Sequence, residues 1–191
     1  MPTKRSIPQV TSPSKLAHIV LRTTDLAPMA SFYKTFLGGH ATHENDFISF
    51  ITYDDEHHRI AILASPLTTP KVQGSAGLEH IAFTFPTLDD LVAAYQERKA
   101  HGIEPLWCVN HGPTTSMYYC DPDGNQIETQ VDNFDDVEEA GRFMASKEFM
   151  ENPIGTDFEP EDLIKRLKSG ESHASIKKRI EIGPRSLPPG M

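Results

Sequence analysis

HGPTTSMYYCDPDGNQIE, residues 111–128, holds two short extended runs joined by a tight turn. Ser116 to Cys120 is rich in aromatic residues, Asp121-Pro122-Asp123-Gly124 has strong turn chemistry, and Asn125 to Val131 follows as the return strand. The period of two puts Gln126, Glu128 and Gln130 on one face of that strand and Ile127, Thr129 and Val131 on the other. A carboxylate in the middle of a strand is out of place in a core sheet. It is explained if that face lines a polar cavity or grips a metal ion.

Outward from this hairpin the chain reads as a repeat. Leu16 to Leu21 is a strand with His18 on the face of Leu16 and Val20. A helix follows, capped near Thr23-Thr24-Asp25, carrying Leu26, Met29, Ala30, Tyr33 and Phe36-Leu37 at helical spacing, and stopped by Gly38-Gly39. Three extended segments come next: His40 to Glu44, Phe47 to Tyr53 and Arg59 to Ala64. A linker from Ser65 to Ala76 leads into a second strand-helix unit, Gly77 to Phe83 and Leu88 to Ala100. Strands near Pro105 to Val109, Thr115 to Cys120 and Asn125 to Val131 complete it. The copies register 62 positions apart, Leu16 with Leu78, His18 with His80, Leu26 with Leu88 and Tyr33 with Tyr95. The expected class is therefore α+β, with two paired β-α-β-β-β modules and a C-terminal helical extension.

The boundaries that follow are an unstructured lead over 1–14, a paired-module domain over 15–132 (modules 15–65 and 77–132), and a helical and irregular extension over 133–191. In the extension, Phe134 to Met150 begins acidic, as a helix N-terminus prefers. Asn152-Pro153-Ile154-Gly155 breaks it, and Pro160 to Lys168 is a short helix with Leu163, Ile164 and Leu167 inward. The last residues from Gly183 read as an irregular tail.

A chain of 191 residues is long enough to bury a real core. Its formal net charge of −9 argues against nucleic acid or an anionic membrane surface as the main partner. The basic start lacks an apolar core after it, so no secretory signal is read, and no apolar run approaches membrane-spanning length. A cytoplasmic protein is expected. Cys108 and Cys120 form no CxxC pair and read as buried thiols.

His18 and His80 at matching places in paired modules, with Glu128 on the last strand of the second, give a 2-His-1-carboxylate set. Three such ligands on one side of an octahedral ion leave the other side open, as in non-haem Fe(II) oxygenases. A lone histidine beside a strand is more often a satisfied structural residue. The matching pair and the inward carboxylate reverse that balance.

The repeated plan resembles the vicinal oxygen chelate (glyoxalase/bleomycin resistance/dioxygenase) superfamily. The run Val109-Asn110-His111, Met117-Tyr118, Asp121-Pro122-Asp123-Gly124 and Glu128 is similar to the signature of extradiol ring-cleaving dioxygenases of the catechol and biphenyl-2,3-diol type. His57-His58-Arg59-Ile60-Ala61, upstream of Leu78-Glu79-His80-Ile81-Ala82, is a second matching motif. The resemblance covers about residues 15 to 132, and more loosely the segment with Asn152-Pro153-Ile154-Gly155. It implies Fe(II), or else Mn(II) or another divalent metal, on His18, His80 and Glu128. It implies His58 as the acid–base group and His111 and Tyr118 beside substrate and oxygen. The implied partners are a small aromatic diol and O2, and the superfamily admits a homodimer. Taken alone, His58 beside His57 is a solvated turn, His111 a loop histidine and Tyr118 core packing. His40, His43, His101 and His173 match nothing and are read as surface residues.

Two other functions fit the same fold. One is a glyoxalase-like isomerase or thiol transferase using zinc, nickel or manganese, which has no need of His58, His111 and Tyr118. The other is a non-catalytic protein that binds a small aromatic ligand, against which the intact ligand set argues.

Overall fold

The computed structural model describes residues 10–72 and 74–186. Of the expected lead, residues 1–9 lie outside the described residues, while 10–14 are exposed and carry no helix or strand. Residues 187–191 of the expected tail likewise lie outside them. The chain divides into two compact units that part between Thr68 and Thr69.

The first unit contains β1 (Ile19–Thr23), α1 (Leu26–Phe36), β2 (His40–Glu44), β3 (Ile48–Thr52) and β4 (Ile60–Ala64). The sheet order is β1-β4-β3-β2, with β1 parallel to β4 and the other pairs antiparallel. Asp25 stands at the N-cap position of α1 without a side-chain capping bond, its own amide held by the Thr23 hydroxyl at 3.0 Å. Met29, Ala30, Tyr33 and Phe36 recur at helical spacing and are buried against β3 and β4. Each large apolar side chain so buried contributes about 1.5–3 kcal/mol. The first strand starts later than its apolar pattern suggests. Ladder bonding begins where the Ile19 amide donates to the Arg59 carbonyl at 3.0 Å, so Leu16 and His18 lie ahead of the strand and are exposed.

The second unit repeats the plan with β5 (His80–Thr84), α2 (Leu88–Ala100), β6 (Trp107–Asn110), β7 (Thr114–Cys120) and β8 (Gln126–Asp132). It then adds α3 (Val137–Met144), α4 (Lys147–Glu151), β9 (Thr156–Asp157), α5 (Pro160–Lys168) and α6 (His173–Lys177). The order β5-β8-β7-β6 matches that of the first sheet, and β9 extends it by pairing with β6. The Thr87 hydroxyl accepts from the Asp90 amide and sets the start of α2, whose Leu88, Leu91, Val92 and Tyr95 are buried.

Four expectations are corrected here. The strand with His80 begins at that residue rather than at Gly77. The segment from Phe134 to Met150 is two helices, because Ser146 stops the first and caps the second by accepting from the Phe149 amide at 3.2 Å. Leu167 and Cys120 are half-buried rather than buried, whereas Leu163, Ile164 and Cys108 are buried as read.

Candidate active site

In the second unit the hairpin β7–β8 carries Tyr118 and Glu128, two of the candidate site residues. Tyr118 and Glu128 are direct cross-strand partners, so both side chains rise from one face of the sheet. Parallel pairing of β5 with β8 sets Ala82 opposite Glu128 and His80 opposite Gln126, which brings His80 to the same face. The opposite face carries Ile127, Thr129, Val131, Met117 and Tyr119, all buried, with α2 packed on β8. The period-two reading of Gln126 to Val131 is thus the division between site and core.

Glu128 is only 5% exposed. Its Oε2 lies 3.0 Å from His80 Nε2. Burial works to raise its pKa, but hydrogen bonds from His80 and Ser116 and the charges of His80 and His111 outweigh that and hold the carboxyl below its ordinary value. The hydrogen bond to Glu128 raises the His80 imidazole, with burial opposing it. His80 thus gives the buried Glu128 carboxylate an ion-pair partner.

His111 sits in the loop between β6 and β7. Its Nδ1 meets the Ile154 carbonyl and its Nε2 lies 2.9 Å from the Tyr118 hydroxyl. Burial pushes the imidazole pKa down, favouring the neutral form. A carbonyl can only accept, so Nδ1 carries the proton, Nε2 is the acceptor, and Tyr118 donates to it. Burial first, then the charge of Glu128, pushes the Tyr118 hydroxyl well up. Two glycines let the backbone close around this histidine. Gly112 (φ 102°) faces the Phe143 ring and Gly155 (φ 108°) the Asn110 carbonyl, and a Cβ on either would collide.

Trp107 completes this face and is absent from the sequence-based site. It pairs with Tyr118 across the ladder, stacks on it at 5.0 Å and meets the His111 ring edge-on at 5.6 Å. Its indole N–H donates to Asp157 Oδ1 at 2.7 Å, and Arg185 Nη2 donates to the other oxygen of Asp157 at 2.6 Å. The only sequence signal for it is its place on the strand beside the signature run.

In the first unit His18 and His58 stand together, ring centroids 4.3 Å apart. Phe50 stacks on His58 at 4.5 Å, and His57 shares a 2.6 Å Nδ1···Nδ1 hydrogen bond with it. Burial and the neighbouring His18 and His57 push His58 below the ordinary histidine pKa. His58 is half-buried in an aromatic stack, so the solvated-turn reading fails for it, while His57 is exposed. His40, His43 and His101 are exposed, and His173 is half-buried with Nε2 3.1 Å from Asp89.

The expected ligands thus divide between the units: His18 in the first, His80 and Glu128 in the second. Among the described residues no group of three or more His, Cys, Asp or Glu is arranged to hold a metal. The pair in the second unit fits a metal by its donor chemistry. An imidazole nitrogen and a carboxylate oxygen on bonds of about 2.1 Å at a right angle stand about 3.0 Å apart, the separation His80 and Glu128 already have.

Residues 15–129 match the model of the Glyoxalase/Bleomycin resistance protein/Dioxygenase superfamily. The chain belongs to that superfamily. It is 43% identical over 162 residues, 84% of its own length and 85% of the relative's, to biphenyl-2,3-diol 1,2-dioxygenase 2 of Rhodococcus globerulus. It is 42% identical over 167 residues, 86% of its length and 88% of the relative's, to biphenyl-2,3-diol 1,2-dioxygenase 3 of the same organism. Among solved structures, a glyoxalase/bleomycin resistance protein/dioxygenase from Alicyclobacillus acidocaldarius matches with a TM-score of 0.52 at 18% identity, covering 66% of this chain and 97% of that one. Lactoylglutathione lyase from Agrobacterium tumefaciens matches with a TM-score of 0.51 at 17% identity, covering 63% and 96%. At those identities the two structures share the fold.

Proposed function

We propose that this chain is a metal-dependent extradiol dioxygenase that opens a catechol-type aromatic diol with O2 beside its hydroxyls, using Fe(II) held by His18, His80 and Glu128. The reading is carried by the second unit's site face: His80 and Glu128 at 3.0 Å beside Tyr118 and His111 at 2.9 Å, in a chain whose relatives are named for biphenyl-2,3-diol.

When bound, the metal supplies Lewis acidity toward the diol and an electronic path between ring and O2. The protein's part is charge, orientation and protons. Glu128 brings the negative charge that compensates a cation in a buried place, and His80 gives up its proton to ligate. Tyr118 and His111 share one proton between Oη and Nε2. Neutral His111 accepts that proton at Nε2, which fixes the direction of the Tyr118 hydroxyl and leaves its oxygen lone pairs free to accept from a substrate hydroxyl. His58, kept neutral by its stack, takes the proton released by the diol and returns it later. General acid–base groups of this kind contribute roughly 10²–10⁴-fold. Trp107 and Tyr118 present an aromatic wall against which a planar ring can lie.

The test is O2 consumption by protein loaded anaerobically with Fe(II) and given biphenyl-2,3-diol or catechol. One O2 should disappear per diol, with growth of a conjugated ring-opened product that absorbs visible light. Protein holding a full equivalent of Fe(II) that turns over neither diol would overturn the reading.

A further inference from the structure

The C-terminal part of the second unit ends in a buried cation that the chemistry above does not use. Arg179 follows α6, and its side chain is 2% exposed. A guanidinium has five N–H donors, and here all five are engaged. Nε and Nη2 form a fork on the Glu181 carboxylate at 3.0 and 2.7 Å. Nη1 donates to the carbonyls of His111 at 3.0 Å and Asn152 at 2.7 Å, and Nη2 to that of Glu148 at 3.2 Å. The Phe143 ring lies 5.0 Å from its centre. Burying a charge this deeply is costly unless every donor is met.

The three carbonyls it gathers are not arbitrary. One belongs to His111 itself, one to Glu148 within α4, and one to Asn152, the C-cap of α4, where the turn 152–155 begins. Asn152, 1% exposed, shapes that turn. Its Oδ1 accepts from the amides of Ile154 at 3.2 Å and Gly155 at 2.8 Å, and its Nδ2 donates to the Gly155 carbonyl at 3.0 Å. The turn aims the Ile154 carbonyl at His111 Nδ1. The same histidine is therefore held at its backbone by Arg179 and at its ring by a turn that Arg179 also clasps.

We propose that Arg179 is a positioning residue for His111: by tying its backbone to the 152–155 turn, it holds the ring in one tautomer, Nδ1–H on Ile154 and the Nε2 lone pair toward Tyr118. Lysine cannot substitute, because three donors on a single nitrogen cannot span three carbonyls and a carboxylate fork. The inference rests on the dioxygenase reading only for its turnover arm.

The experiment uses the isotope-labelled, metal-free full chain at about pH 8, where an imidazole is neutral, and reads by NMR which nitrogen of His111 carries the proton. Wild type should show Nδ1–H alone, and Arg179→Lys a mixture of both tautomers. Leu163→Ala, which hollows the core beneath α5 and removes none of the bonds that hold His111, should keep Nδ1–H despite its loss of stability. In Fe(II)-loaded protein, Arg179→Lys should lower kcat about tenfold or more with KM little changed, within the roughly 10²–10³-fold that removing an electrostatic partner outright costs. Leu163→Ala should leave kcat where it was. Nε2–H in wild type, or an unmixed Nδ1–H tautomer in Arg179→Lys, overturns the proposal. If Arg179→Lys does not fold, Glu181→Gln loosens the fork from its exposed end. The His111 Nδ1–H should then exchange with water about tenfold faster or more, and an unchanged rate overturns the proposal. Lack of turnover in every variant would sink the dioxygenase reading and leave the tautomer result to decide this one.

Discussion

Replacing Glu128 by Gln removes one charge from one strand, with two separable effects. In metal-free protein it turns the 3.0 Å charged bond to His80 into a neutral one. Hydrogen bonds to charged groups contribute about 1.5–3 kcal/mol. His80 is 34% exposed, so solvent screening reduces this to about 1–2 kcal/mol. That corresponds to a fall in Tm of about 3–8 °C for a domain of this size. The pH dependence is fixed in sign. The folded pKa of His80 is raised, so its contribution is complete below its ordinary 6.5 and fades as pH rises through the raised value. The folded pKa of Glu128 is lowered, so its contribution is complete above its ordinary 4.5 and fades as pH falls through the lowered value. Both are present together between 4.5 and 6.5, where the advantage of wild type over Glu128→Gln should peak. Thermal melts of chelator-treated protein followed by circular dichroism across and beyond that window measure it. The second effect is on metal. Losing a supporting hydrogen-bond partner of a ligand already costs 10–100-fold in affinity, so losing the anionic ligand should weaken Fe(II) binding by more than about 100-fold, or more than about 2.7 kcal/mol. A stability difference that is flat with pH refutes the ion pair, and unchanged Fe(II) affinity refutes the ligand assignment.

His58→Phe should keep its metal, measured by iron content after desalting, while losing roughly 10²–10⁴-fold in kcat; equal metal loss in His58→Phe and Glu128→Gln would contradict their different roles. Gly155→Ala places a side chain at φ 108° against the Asn110 carbonyl, and should cost at least about 2 kcal/mol by urea unfolding, since positive φ alone costs about 1–2. Glu171, held down to about 2 chiefly by Arg166, with Ser175 adding to it, stabilises fully above its ordinary 4.5. The stability gap between wild type and Glu171→Gln should therefore shrink as pH falls from 4.5 toward 2 and be absent below it. Burial pushes the Cys108 thiol up to about 12, so a thiol reagent should label half-buried Cys120 first and reach Cys108 only on unfolding.

Where local chemistry dictates an element, the sequence is a good guide. The bounds of α2 follow from the Thr87 cap and the His101-Gly102 stop, and the strand pattern around Glu128 separates site face from core face. The start of the first strand is not legible from apolar spacing, because the partner carbonyl of Arg59, not the side chains, decides where the ladder begins. The two residues of β9 are too few to show a period, yet they carry Asp157 to Trp107. For the site, His111, Tyr118 and Glu128 are readable in one run and His80 in a second motif. The supporting shell is not. Lys177-Lys178-Arg179 looks like a solvated basic run, and nothing local announces that its arginine is drawn inside by three distant carbonyls. His58 beside His57 likewise looks hydrated until the rings of Phe50 and His18 are seen packed against it.

Trp107 is the chain's sole tryptophan, and it lies against both Tyr118 and His111 with its indole fastened by Asp157. Light absorbed at the red edge of the protein band is therefore emitted from a single address, beside the proposed chemistry. Arrival of an aromatic guest can be followed by colour and brightness alone, without a dye, a label or turnover. A molecule so arranged comes with its own optical gauge.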